Sequence, residues 1–337
     1  MVRAAIEGAR EEVAGLLGVR PRQVIFTSGA TEAANAAIWG ASMLVPGDIA
    51  CAGVEHSSVR DAAARTGRMV TLPVDRLGRI DIDAVSTLVG QSDVRPVALV
   101  NCQWGNHEVG TLQPVAEVVA ACRAAGVLVH VDAAQAAGRV QLSLDAMGVD
   151  LASVSAHKLG GPPGIGALVV RRGLRLPPLV VGGAQERARR AGMENVPAIM
   201  GFAAAALAIA GSGRLAAEMA AGAAQTSALL RAALEVEGVV AYGAVTDRLP
   251  HIVCLGVEGV EAEAVLLGLD QAGIAAHSGS ACSSETLEPS PVLEAMGVDA
   301  QRSLRLSVGW STTGADVAAF AAAFPGVVAR LRSLGGA

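Results

Sequence analysis

Short apolar runs alternate along this chain with longer stretches whose apolar residues recur every three or four positions. The short runs predict strands at 23–26, 49–52, 69–72, 97–101, 127–131, 151–155 and 167–170. Helical spacing fills most of the gaps, as at 115–125, and an amphipathic helix with Glu11 and Glu12 inside it opens the chain at 1–18. This strand–helix rhythm predicts an α/β protein with a wound, largely parallel sheet. In such sheets ligands sit beyond the carboxyl ends of the strands. An alanine-rich helix is expected at 195–211 and a second to about 236. After Gly243 the pattern restarts as a strand at 252–257, helix 261–272, a loop, short helix 291–296, strand 304–308 and helix 314–334. The reading divides the chain into a large domain at 1–210 and a smaller one at 211–337, with no internal repeat and no low-complexity linker.

Composition narrows the function. Apolar residues make up 52% of the 337 residues, much of it alanine, and aromatics only 2%. The net charge of −5 argues against nucleic acid or a membrane surface as partner. Arg187, Arg189 and Arg190 cluster without forming a stripe. The longest apolar run, 196–211, is broken by Pro197 and Gly201 and is too short to span a bilayer. Five scattered cysteines without a CxxC pair suit reduced thiols in a cytoplasm, and the first residues carry no signal-peptide pattern.

Of 26 Lys and Arg residues one is lysine, Lys158, so 25 are arginine. Arginine carries the same charge, but its pKa is too high for an amine nucleophile. A position that needs an amine resists that replacement, and the simplest chemistry needing one is a Schiff base with a carbonyl substrate or pyridoxal 5'-phosphate (PLP). A leftover surface lysine is the alternative. Lys158 closes Ser155-Ala156-His157-Lys158, just past a predicted strand. Other polar residues also follow strand ends. Thr27-Ser28-Gly29-Ala30-Thr31-Glu32 reads as a strand, a small-residue turn and a helix start, which is either a phosphate seat or an ordinary N-cap. Asp132, with Gln135 three residues on, is a carboxylate at a buried strand end, able to hold a pyridine nitrogen protonated or to cap a helix. His56 can stack on a pyridine face and shuttle protons, or be a loop histidine. Cys282 lies in Ser278-Gly279-Ser280-Ala281-Cys282-Ser283-Ser284, whose small polar residues offer no core, so its reactivity accounts for it better than packing. The other four cysteines read as core filler. Arg305 interrupts an apolar strand, where a substrate carboxylate or an internal ion pair would partner it.

Together these segments resemble the cysteine desulfurases, PLP enzymes of fold type I in the class V aminotransferase group. Further residues carrying the likeness are Glu55-His56, Asn106-His107-Glu108-Val109-Gly110, His130-Val131-Asp132-Ala133-Ala134-Gln135 and Leu287-Glu288-Pro289-Ser290. The resemblance implies that L-cysteine is converted to L-alanine, with a persulfide left on Cys282 for a sulfur-acceptor protein in iron–sulfur or thio-cofactor assembly. It implies catalytic roles for Lys158, Cys282 and His56, cofactor contacts from Ala30, Thr31, His56, His107, Asp132, Gln135, Ser155, His157 and Lys158, and substrate contacts from Arg305 and His107. It also implies a cytoplasmic homodimer. A selenocysteine lyase, another class V β-lyase, or a homologue that binds PLP without turnover are the alternatives.

Three departures modify the expectation. Family members carry a further strand and an Asp-x-Ala-Ala-Thr-Thr loop ahead of the match to Met1, so weak dimerisation or low activity is expected of this chain. His107 stands where the family has an asparagine, and an imidazole still donates one hydrogen bond there. Arg190-Ala191-Gly192-Met193 replaces Arg-x-Gly-Thr, whose threonine reaches the partner subunit's phosphate. A hydrogen bond to such an anion is worth about 1.5–3 kcal/mol, so cofactor affinity should fall.

Overall fold

The structure, a computed structural model, describes residues 2–91, 96–211, 213–278 and 289–335. Among them seven strands form one sheet: β1 (Val24–Thr27), β2 (Asp48–Ala52), β3 (Met69–Leu72), β4 (Val97–Asn101), β5 (Leu128–Asp132), β6 (Leu151–Ser155) and β7 (Gly166–Val170). Their order is β1-β7-β6-β5-β4-β2-β3. β3, β2, β4, β5 and β6 run parallel. β7 is antiparallel to both β6 and β1, so β1 points the same way as β6. The carboxyl ends of β1, β2, β4, β5 and β6 therefore share one edge of the sheet. Apart from the edge strand β3, every strand except β5 is buried along its whole length, and β5 only opens on a half-buried Leu128. That is why they read as mostly apolar runs and not as an alternation of apolar and polar residues.

Alanine lets the helices approach this sheet closely. The helices of this half are α1 (Val2–Leu17), α2 (Ala30–Leu44), α3 (Ser57–Ala64), α4 (Ile82–Gly90), α5 (Val115–Ala124), the single turns α6 (Leu144–Met147) and α7 (Gln185–Ala188), and α8 (Val196–Ala210). On α2 the buried positions Ala33, Ala34, Ala37, Ile38 and Ala41 form a helical stripe against Ile49, Cys51, Leu99, Leu151 and Leu168. Pro46 forbids α2 from running on. α1 packs on α8, presenting Ile6, Ala9, Val13 and Leu17. Phe202 of α8 meets Phe26 edge-on, with ring centroids 6.5 Å apart.

The chain divides into two compact units. The first holds residues up to 73, 80–104 and 113–216; the second holds 74–79, 105–112 and 217 onward. The sequence reading draws a single boundary at 210/211 and leaves both short segments in the large domain.

The second unit has an antiparallel sheet ordered β10-β11-β9-β8, built from β8 (Val239–Tyr242), β9 (Ile252–Val257), β10 (His277–Ser278) and β11 (Ser303–Ser307). Its helices are α9, which starts at the junction and runs Arg214–Leu234, then α10 (Ala262–Gln271), α11 (Pro291–Ala295) and α12 (Gly314–Gly335). Val253, Leu255, Leu304 and Leu306 pack with Val265, Leu269, Phe320 and Phe324. A Cβ on Gly268 would lie 2.6 Å from Val327, so glycine lets α10 and α12 touch. The sequence reading overlooks α12 as an apolar span: by length and composition alone it could cross a membrane. Phe320, Phe324, Val327 and Val328 nevertheless belong to this unit's core.

Candidate active site

Three strand ends of the first unit bring candidate site residues to one edge of the sheet. At the end of β1, Thr27 Oγ1 donates to the Gly29 carbonyl (2.9 Å) and α2 begins at Ala30. The N–H groups of Ala30 and Thr31 lie in the first turn of α2, where no intrahelical carbonyl reaches them. The Ser28 N–H is already given to Glu32 Oε2 (2.8 Å). Arg190 binds that carboxylate in a fork, Nε to Oε1 at 2.8 Å and Nη2 to Oε2 at 3.1 Å. Burial raises the Glu32 pKa, but the Arg190 and Ser28 bonds outweigh it and the carboxyl titrates below its ordinary range. The hydrogen bond to Glu32 in turn holds the Arg190 pKa above its usual value. The helix start thus stays attractive to an anion although a carboxylate sits in its first turn.

At the end of β6, Ser155 is buried and its hydroxyl meets His157 Nδ1 at 2.8 Å. A Cβ built on Gly29 would lie 3.9 Å from Ser155 Oγ, so the α2 turn and this hydroxyl are neighbours. Gly166 makes the approach possible, since a Cβ there would strike the Val154 carbonyl at 2.4 Å. The tight turn 156–159 then presents His157 and Lys158 to solvent. Partial burial first, and the Lys158 charge second, push the His157 pKa down, which keeps this imidazole neutral.

At the end of the neighbouring β5, Asp132 is 9% exposed and accepts from the Ala134 N–H (2.9 Å). It pairs in register with Ser153, so Asp132 and the Ser155–Lys158 turn share one sheet edge. Gln135 follows, half-buried, in the turn after β5. Beyond β2, His56 caps α3. Its Nδ1 accepts from the Ser58 N–H (3.1 Å), which leaves the ring proton on Nε2.

Other expected residues belong to the second unit. The His107 carbonyl accepts from Arg305 Nη1 (3.2 Å), and His107 Nε2 lies 3.4 Å from Glu108 Oε1. Glu108 Oε2 accepts from the buried Ser290 hydroxyl. Cys282 lies outside the described residues. Cys51, Cys102, Cys122 and Cys254 are all buried, as their core-filler reading expects. Burial, the largest cause in each, raises all four thiols, Cys122 and Cys254 to about 12.

Comparison with known proteins decides the family. Residues 1–320 match the description Aminotransferase class-V. The chain belongs to that family. It is 39% identical to a cysteine desulfurase of Gluconacetobacter diazotrophicus over 99% of this chain and 85% of that protein. A cysteine desulfurase of Nostoc sp. is also 39% identical, over 98% and 84%. A solved NifS-like protein superposes with a TM-score of 0.87 at 30% identity, over 98% of this chain and 89% of that one.

Class V aminotransferases are PLP enzymes, and the donors of the first unit fit that cofactor. The α2 N–H groups, the Ser155 hydroxyl and His157 are suited to a phosphate, the Lys158 amine to a Schiff base, and the buried Asp132 carboxylate to a ring nitrogen. Among the described residues no cluster of His, Cys, Asp and Glu suits a metal ion. Sequence reasoning missed two groups here. One is a buried row of polar side chains on β4, β5 and β6, taken up below. The other is Arg10–Glu186, a buried pair bonded through both carboxylate oxygens at 2.7 Å. The basic cluster read from the sequence proves to be paired: Arg187 binds Glu7 (2.7 Å), Arg190 binds Glu32, and Arg189 Nε donates to the Glu186 carbonyl (3.3 Å). Met193 is 90% exposed.

Proposed function

We propose that this class V protein is a cysteine desulfurase that releases L-alanine from L-cysteine and keeps the sulfur as a persulfide on Cys282. When bound, PLP supplies an electron sink for charge developing on the substrate carbons. Ala30, Thr31, Ser155 and His157 hold its phosphate, and Asp132 holds the positive charge on its ring nitrogen. Lys158 anchors it, then moves a proton at the substrate Cα. His56, its Nδ1 engaged by Ser58, offers Nε2 as the second proton carrier. Gln135 would donate to the phenolic oxygen, and Arg305 is a guanidinium suited to a substrate carboxylate. Cys282, as thiolate, attacks the substrate sulfur. The S–S bond forms as the Cβ–S bond breaks, the released pair goes to Cβ, and a proton there completes the alanine methyl group.

The observation that carries this reading is the pairing of β5 with β6, which puts Asp132 and the chain's one lysine on the same sheet edge. Whole-length similarity to cysteine desulfurases supports the substrate. The same reading makes the protein a cytoplasmic homodimer that passes sulfur to an acceptor for iron–sulfur or thio-cofactor assembly. The test is to add L-cysteine and a reductant to purified, PLP-loaded protein and assay alanine and sulfide together. Equal yields are expected. Lys158→Ala should lose the visible absorbance of bound PLP, and Cys282→Ser should bind PLP yet release no sulfide. Turnover at the wild-type rate by Cys282→Ser, or no alanine from the wild type, would overturn the proposal.

A further inference from the structure

Behind Asp132 lies a row of buried polar side chains that none of these roles uses. Asn101 on β4, His130 on β5 and Ser153 on β6 are each 0% exposed. His130 Nδ1 is 2.9 Å from Asn101 Oδ1, and Nε2 is 3.2 Å from Ser153 Oγ. Asn101 gives its Nδ2 to the Ala50 carbonyl (2.9 Å), so its Oδ1 is an acceptor. The His130 proton therefore sits on Nδ1, and Nε2 accepts from the Ser153 hydroxyl. Both ring nitrogens are engaged and the imidazole is neutral. Burial keeps it so, pushing its pKa down to about 4 against the weaker upward pull of Asp132. Alternation along β5 puts Asp132, two residues on, on the same face as His130. The same alternation on β6 puts Ser155 on the face of Ser153. The row thus leads to two of the proposed cofactor contacts.

We propose that His130 is a positioning residue for Asp132: fixed in one neutral tautomer by Asn101 and Ser153, it braces the end of β5 and sets no competing cation against the Asp132 charge that faces the cofactor's ring nitrogen. A charged imidazole at this place would pair with Asp132 and draw that charge off. A dry, fully bonded row is suited to the task, because a half-satisfied one is costly and movable. The inference rests on the reading that Asp132 meets the ring nitrogen.

The test measures PLP affinity and the visible spectrum of the bound cofactor, without cysteine, on protein stripped of PLP and titrated with it. Four variants are compared with wild type: Asp132→Asn, His130→Leu, their double, and His130→Gln. His130→Leu should weaken PLP about tenfold and shift the visible band the way Asp132→Asn does. His130→Gln, which keeps a donor and an acceptor, should recover most of both. The double variant should be no weaker than Asp132→Asn alone, because His130 acts through Asp132; a merely structural role gives additive losses and no shift of the band. Ser153→Ala removes one bond of the row and should move the band the same way by less, which keeps the test open if His130→Leu does not fold. A wild-type spectrum in both His130→Leu and Ser153→Ala, or additive losses in the double, would overturn the proposal while Asp132→Asn still weakens PLP. If Asp132→Asn itself changes neither affinity nor spectrum, the assignment of Asp132 has failed and this inference falls with it.

Discussion

Changing Glu186 to glutamine should cost about 3–5 kcal/mol of stability, because it leaves a buried arginine charge without its counter-charge. Arg10 and Glu186 are each 2% exposed at the side chain. Glu186 Oε2 accepts from Arg10 Nη1 (2.7 Å) and from the Phe26 N–H (2.9 Å), and Oε1 accepts from Arg10 Nη2 (2.7 Å). Arg10 also donates to the Val24 carbonyl (2.9 Å) and lies 4.8 Å over the Phe26 ring. Burial alone would lower the Arg10 pKa; the bond to Glu186 and its charge, then those of Glu7, more than reverse it. Glutamine has the same shape but one acceptor. Whichever way its amide turns, an NH2 faces an N–H donor. Urea unfolding followed by circular dichroism measures the loss. Glu7→Gln is the control: Glu7 is 42% exposed and 3.5 Å from Arg10, and a pair of that kind is worth under about 1 kcal/mol. Replacing both partners, as Arg10→Met with Glu186→Leu, should be milder than Glu186→Gln, since no orphaned charge remains. A Glu186→Gln protein within 1 kcal/mol of wild type would refute the reasoning.

The same turn makes a second prediction. Glu186, Arg187 and Ala188 have φ of 46°, 59° and 60°, a left-handed conformation that costs a residue with a Cβ about 1–2 kcal/mol. Ala188→Gly should stabilise by about 0.5–1 kcal/mol after the extra freedom of the unfolded glycine is set against the relief; a lower urea midpoint would contradict it. His130 should make the protein acid-sensitive. Its folded pKa of about 4 is depressed below the unfolded 6.5, so its contribution is fully present above pH 6.5 and is lost as pH falls toward 4. The loss approaches about 3 kcal/mol at pH 4, and the difference in urea stability between wild type and His130→Gln should follow that slope; parallel curves would count against it. Arg10→Lys keeps the charge but loses the fork to Glu186, costing about 1–3 kcal/mol in the same unfolding assay. Lys158→Arg keeps the charge but loses the amine, and should remove the visible absorbance of bound PLP while leaving the unfolding midpoint unchanged.

The sheet was legible because burial of most of its strands along their whole length leaves mostly apolar runs, such as Val97–Asn101, where Asn101 is the one polar residue. β8 was missed: only Val239 of its four residues is buried, so no run or clean alternation marks it. β10 has two residues, neither apolar. The assignment of 74–79 and 105–112 to the second unit depends on distant partners, such as Arg79 on Asp247 (2.8 Å) and the Leu112 N–H on the Asp247 carbonyl (3.0 Å). Local spacing cannot report such partners. Gln185-Glu186-Arg187-Ala188 has helix-favouring residues, yet Arg10, 176 positions away, holds Glu186 in a left-handed turn. His130 did leave a signal, as a histidine between two valines of a strand that ends on Asp132. A buried imidazole needs partners, and the neighbouring strands offered Asn101 and Ser153.

The composition and the site have one physical cause in common. Several of the chain's arginines work as forks. Arg10 grips both oxygens of Glu186, Arg190 both oxygens of Glu32, and Arg332 reaches the carbonyls of Glu237 (2.7 Å) and Glu258 (2.8 Å). An ammonium is a point charge and spans no such pair, so at these positions arginine is the better bond and not just an equivalent charge. Lys158 differs in kind. Its side chain is exposed, just past the end of β6. The proposed Schiff base asks for an amine there, because a carbonyl carbon needs a nitrogen that can give up its proton near neutral pH. On that proposal, a chain that answers structural demands for a cation with guanidinium keeps its amine where a covalent bond to nitrogen must form and break.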